Sequence, residues 1–210
     1  MTETRRRSGG RAGRQAARMQ AHVERVPFLT RALAPVEVLA FWRTAGPDKW
    51  FAKDDAFDAE IAARFGTLWC AAANDELASW ETTPEGALAL VIVLDQFPRN
   101  MFRGRARTYE TDAVARAVAD RALKRGFDRD VPQLERRFFY LPFMHSEILA
   151  DQERCLELAR GLGDDEVTQY AELHAGIIRR FGRFPHRNAM LGRAMTPDEQ
   201  AFLDADGFAG

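Results

Sequence analysis

Cysteine is scarce in this chain of 210 residues: Cys70 and Cys155 are the only two, and they stand far apart. Both lie in Ala- or Leu-rich surroundings, which rules out a disulfide scaffold and leads us to expect reduced, buried thiols and a cytoplasmic protein. A nucleophilic role stays open for either thiol but is not the favoured reading. Lysine is nearly absent as well, occurring only at 49, 53 and 124, so arginine carries the basic charge. The apolar run Ala87 to Leu94 falls far short of the roughly 18–20 residues of a membrane span, so no membrane association is expected. The N-terminal stretch has none of the apolar core that a secretory signal needs. No stretch shows a convincing strand pattern. There is no His-Glu-x-x-His, no Cys-x-x-Cys and no Gly-rich phosphate loop, so neither a metal nor a cofactor is expected.

Charge is unevenly placed. Residues 1–34 hold eight Arg against two Glu, a net +6, so the rest of the chain carries −7 within the overall −1. This Arg/Gly-rich arm has no apolar face and is expected to be disordered. A weak contact with nucleic acid is conceivable only through it. Residues 35–210, rich in apolar side chains, are expected to form one domain with a sizeable core.

That domain is organised around Thr82 to Asn100, TTPEGALALVIVLDQFPRN. Thr82 or Thr83 can cap, Pro84 suits a first helical turn, and Glu85 completes a Thr-x-x-Glu box from Thr82. The unbroken apolar run that follows describes a helix buried on all sides, with a buried strand as the competing reading. Asp95 continues the line Leu88–Ile92 and so faces inward near the helix end. A buried carboxylate needs a partner, and Arg99 is four residues on. Pro98 is expected to stop the helix.

The remaining elements also read as helices. They are a helix from Pro35, one from Asp54 to about Ala72, a short piece at Glu76–Trp80, then Tyr109–Lys124, Gln133–Tyr140, Phe143 to about Leu162, Glu166–Phe181 and Asp198–Leu203. In Tyr109–Lys124 the packed residues are expected to be Ala113, Ala117, Val118 and Leu123. Pro142 is expected to separate two helices. His145, Ile148, Leu149, Gln152, Leu156 and Ala159 then share one face, and Glu147 and Asp151 fall off it. His174 lies in the apolar stripe of its own helix. The fold class is all-α, an antiparallel array of about eight to ten helices.

A second stretch echoes the tip of the central helix. Phe97-Pro98-Arg99-Asn100 with Gly104-Arg105-Ala106 is matched by Phe184-Pro185-His186-Arg187-Asn188 with Gly192-Arg193-Ala194. Both are expected to be helix exits of one design, with Pro stopping the helix and Arg reaching back to free carbonyls. The inward and loop-borne polar groups make the candidate binding set: Asp95, Arg99, Asn100, His145, Glu147, His174, Arg183, His186, Arg187 and Asn188. Arginine forks beside Asn and His suit a carboxylate or phosphate. Ser146 is a poor nucleophile candidate, since nothing suggests a strained elbow.

At these residues the chain resembles the bacterial domain of unknown function 924 family. The resemblance rests on Val38–Trp42, Trp50-Phe51, Leu94–Asn100, Phe139–Pro142, His145–Glu147, Gln152, His174, Arg180–Asn188 and Leu191–Arg193. It implies an all-α array similar to tetratricopeptide-repeat proteins, although the repeat signature is missing. It implies no activity, so no catalytic residue is carried over. Three functions stay open. A binding module holding a small anion or an acidic peptide end in an Arg/His/Asn-lined cleft is favoured, because the distinctive residues face inward. The others are a scaffold for protein partners, and an enzyme using His145, His174 and Asp95 or Glu147 for acid–base work.

Overall fold

The structure is a computed structural model that describes residues 33–205. The expectation for the basic arm lies outside the described residues, apart from Leu33 and Ala34. Among the described residues every regular element is helical. None of these helices is long and apolar enough to cross a membrane.

Local chemistry sets the helix starts. Helix α1 (Pro35–Ala45) opens on Pro35 and buries Val38, Leu39 and Trp42. Gly46, at φ 73°, turns the chain into the short α2 (Pro47–Trp50), and the Trp50 indole donates to the Trp42 carbonyl at 2.7 Å. Asp54 caps α3 (Asp55–Ala73) by accepting from the Ala56 and Phe57 amides. Phe57, Ile61, Phe65, Leu68 and Trp69 line the buried side of that helix, as their spacing predicts.

A 3-10 turn at Ala78–Thr82 leads to the central element. Thr83 is the cap of α4 (Pro84–Val91), accepting from the Gly86 amide at 3.1 Å. The expected box from Thr82 to Glu85 does not form, because the Thr82 hydroxyl donates back to the Ser79 carbonyl. Gly86 is required here: a Cβ at this position would stand 2.1 Å from the Trp80 carbonyl oxygen. Residues 86–98 are all buried.

Pro98 does not end this helix. The backbone passes through a π turn at Ile92–Gln96 and continues as α5 (Phe97–Met101), with helical dihedrals throughout. Proline lacks the N–H that the Leu94 carbonyl would accept, and the Thr111 hydroxyl replaces it, donating to Leu94 at 2.6 Å. The π turn adds a residue to one turn of helix, and Asp95 and Gln96 lie within it, deep in the core.

After a 3-10 turn at Ala106–Tyr109, helix α6 (Asp112–Lys124) starts three residues later than expected. Its packed residues are Ala115, Val118, Ala119 and Ala122, whereas Ala113 and Ala117 are exposed. The stripe is nearly all alanine, so apolar periodicity left its register ambiguous. Helix α7 (Gln133–Met144) contains Pro142 rather than ending before it. The chain turns at His145–Ile148 and re-enters helix as α8 (Leu149–Leu162). His145 therefore sits on the turn, and Ile148 and Leu149 are exposed rather than packed.

Asp164 caps α9 (Asp165–Phe181), and Gly182, at φ 69°, closes it. A 3-10 turn at Pro185–Arg187 follows, then α10 (Pro197–Asp204), which opens with a Thr196–Glu199 capping box. Helices α7, α8 and α9 pack in succession, and α4 packs against α1, α6 and α7. Trp42, Phe65, Trp69, Phe97, Phe138, Phe139 and Phe143 are fully buried in this core. A smaller apolar cluster joins Ile177, Ile178 and Phe184.

Candidate functional site

The π turn delivers Asp95 to the middle of the molecule, where its side chain is 0 % exposed. Oδ2 accepts from the Gln96 amide at 2.6 Å, and Oδ1 accepts from His145 Nδ1 at 2.9 Å. Arg99 Nη1 lies 3.4 Å from Oδ1 and donates to the Asp95 carbonyl at 2.6 Å. The reach-back of Arg99 to a carbonyl, expected from sequence, is thus present. Burial alone would raise the Asp95 carboxyl, but Arg99 and then His145 outweigh it and hold it well below the usual range. An ionised Asp95 can only accept, so His145 carries its proton on Nδ1. Burial, then Arg99, pushes His145 down against the pull of Asp95. At neutral pH its Nε2 is a lone pair.

The turn that carries His145 is tied by Gln152, whose amide donates to the Met144 and Ser146 carbonyls at 2.6 Å each. Ser146 is spent in the same turn. Its hydroxyl donates to Asp151 and accepts from the Ile148 amide and from Arg116.

The second Phe-Pro motif approaches from the far side. The two motifs are not helix exits of one design: Phe97–Asn100 lies inside a helix, whereas α9 ends at Gly182 and Phe184 is extended before the 3-10 turn. Arg187 reaches no carbonyl among the described residues. Its guanidinium is sandwiched between the rings of Tyr109 and Phe184, 4.4 and 4.5 Å away. It meets the first motif at one carboxylate. Arg99 Nη1 donates to Asp112 Oδ1 at 2.9 Å, and Arg187 Nη1 lies 3.5 Å from Asp112 Oδ2. Arg99 Nη2 and Arg187 Nε are buried and find no hydrogen-bond acceptor among the described residues.

His174 donates Nδ1–H to the Tyr170 carbonyl at 2.7 Å, and its ring centre lies 6.5 Å from that of His145 and 5.5 Å from Phe184. Burial, then His145, pushes it down to about 3. His186 packs on Phe184 and is pushed down to about 4 by burial and then Arg187. Glu147, which the helical wheel turned away, is drawn in by the turn. It takes a fork from Arg193 at 2.7 and 2.9 Å and the Phe184 amide at 2.8 Å.

Of the ten candidates, Asp95, Arg99, His145, Glu147, His174, His186 and Arg187 thus come together. Asn100 instead donates to Asp58, beside Arg103. Arg183 forks Glu199 at 2.6 and 2.8 Å, and Asn188 donates to Met195, so both brace the C-terminal segment. Sequence reasoning missed Asp112 and Tyr109, which look like an ordinary solvated helix start. No group of three His, Cys, Asp or Glu among the described residues is arranged to hold a metal ion. A shallow groove of about 480 Å³ on α1 and α3 and another of about 350 Å³ beside Leu134 and Leu162 are lined by no residue of this cluster. The cluster instead meets solvent at the side chains of Glu147, Arg99 and His145, 27 %, 20 % and 14 % exposed.

A family model described as "Bacterial protein of unknown function (DUF924)" matches residues 38–207. The chain belongs to this family. Its fold is similar to the solved structure of a protein of unknown function, ATU0120, from Agrobacterium tumefaciens. The two are 48 % identical, and the match covers 81 % of this chain and 97 % of that one with a TM-score of 0.80. No curated protein matches. In this DUF924 member the motifs Leu94–Asn100, His145–Glu147 and Arg180–Asn188, distant in sequence, all contribute to one buried polar cluster.

Proposed function

We propose that the protein binds a small anion, a carboxylate or phosphate group, at the Arg99–Arg187 pair. The observation that carries this reading is the shared carboxylate. Two guanidinium groups grip opposite oxygens of Asp112, and each keeps a buried N–H with no acceptor among the described residues. A buried donor without a partner costs about 1–3 kcal/mol, and a charged one more. An oxyanion placed against both would relieve that cost with charge-assisted bonds. Tyr109 and Phe184 fix the Arg187 plane, so little rotamer freedom is lost on binding.

The test is thermal unfolding in acetate, phosphate and sulfate, with chloride as the ionic-strength control. An anion at a hundred times its dissociation constant stabilises by about 2.7 kcal/mol, which at this chain length raises Tm by roughly 5–10 °C. The shift should largely vanish in Arg187→Lys, which keeps the charge but loses the fork. Equal Tm values in every anion would overturn the reading.

A further inference from the structure

The anion site has a neighbour that the binding reading leaves unused. His145 is anchored through Nδ1 on Asp95, and Asp95 is anchored by Gln96 and Arg99. The imidazole is thus fixed in orientation and in tautomer. Its Nε2 meets no hydrogen-bond partner among the described residues, and its side chain keeps a 14 % exposed edge. A base held by a buried carboxylate that Arg99 also contacts is arranged to take a proton on its free nitrogen.

The charge balance says when it would do so. Asp95 and Asp112 offset Arg99 and Arg187, and Glu147 with Arg193 makes a third pair. The cluster is therefore neutral while its histidines are neutral. An anion entering it brings uncompensated negative charge into a site where little water can screen it. The groups that face His145 are Asp95 and Arg99 from the central helix, Asp112 from α6 and His174 from α9. Arg187 acts on His174. Of the neutral groups, His174 already spends Nδ1 on Tyr170 and packs against Phe184. His145 is hydrogen-bonded to a buried carboxylate ready to stabilise an imidazolium, while His186 feels the Glu147 carboxylate.

We propose that this site takes a phosphate-class oxyanion together with one proton, and that His145 carries the proton on Nε2, with Asp95 as its positioning residue. The inference rests on the anion reading above and adds the ligand class. A planar carboxylate presents two oxygens in one plane. A tetrahedral oxyanion presents oxygens to Arg99, Arg187 and the imidazolium at once. The second ionisation of a phosphate lies near 6, close enough to an imidazole for the two to share a proton.

Sulfate is the decisive probe, because it stays a dianion between pH 5 and 9 and any proton taken up must land on the protein. Titration calorimetry of the full chain at pH 7, in two buffers of different ionisation enthalpy, should show close to one proton taken up per sulfate bound. Between the free-state and bound-state values of the imidazole, the affinity for sulfate should fall about tenfold per pH unit. In His145→Gln, binding should persist with no uptake and a flat pH profile. Binding by the wild-type chain without proton uptake would overturn this proposal and leave the anion reading standing. Uptake that persists in His145→Gln would move the proton elsewhere and overturn it as well. No binding of sulfate or phosphate at any pH would overturn this proposal, and no binding of acetate either would overturn the anion reading itself.

Discussion

At the scale of single residues, the histidines show what burial does to a titrating group. His174 is drawn down to about 3 and His186 to about 4, so both are neutral in the folded protein at any mild pH. The unfolded chain protonates them near 6.5. A base whose folded value is depressed contributes stability that is complete above 6.5 and is lost as pH falls towards the folded value. Each such histidine should therefore cost about 1.4 kcal/mol per pH unit below 6.5. Replacing His174 by Phe keeps a ring against Phe184 and removes the titration. Urea midpoints at pH 7 and pH 5 should then show the wild type losing about 2 kcal/mol more than the variant across that interval. Identical losses would mean that His174 is protonated in the folded state. The inward facing of His174 and Asp95 was legible in sequence, because each extends a helical apolar line. The roles of Asp112 and Tyr109 were not. They stand at the start of a polar-looking helix; Asp112 meets Arg99 only because α6 packs beside the central helix, and Tyr109 meets Arg187 only because the segment after α9 folds back onto it.

Among the elements, the central helix decides most. Its capped start and apolar run identified it, but its continuation past Pro98 did not follow from proline rules. The missing N–H is compensated from another part of the chain, by a hydroxyl 17 positions on. Thr111 also accepts from the Trp69 indole at 3.2 Å, so one side chain satisfies a buried acceptor and a buried donor. Thr111→Val keeps the shape and strands both partners. Each stranded group costs about 1–3 kcal/mol, so equilibrium unfolding in urea should show a loss of roughly 2–6 kcal/mol. A loss under about 1 kcal/mol would mean the Leu94 carbonyl is satisfied without Thr111. The turn at His145–Ile148 is hidden for the same reason. Proline rules place a helix stop at Pro142, yet it lies buried inside α7, and the break comes after Met144. That displacement moved His145 from a helix face to a turn, and it is the turn that lets both His145 and Glu147 reach the cluster.

At the scale of the molecule, the site depends on a segment that has few apolar contacts of its own. Arg187 reaches Asp112 only if the chain after α9 is held in place, and three polar locks hold it. Arg193 and the Phe184 amide close on Glu147, Arg183 forks Glu199 while also donating to the Ala194 carbonyl, and the Glu199 box opens α10. Sequence alone showed the Thr196 cap and the repeated Phe-Pro motif, but not that Arg183 and Asn188 brace this segment instead of lining the site. Ion pairs near a surface contribute little to global stability one at a time, so their removal should be read locally. Arg183→Ala should leave the exchange of α3 and α4 amides unchanged and speed that of Arg187, Asn188 and Arg193, whose amides bond only within this segment. With Arg187 no longer held, the anion-induced rise in Tm should shrink although Arg183 touches no ligand. If exchange stays slow across the segment and the anion response is intact, Glu147 and Arg193 suffice to place Arg187, and the C-terminal helix is dispensable to the site.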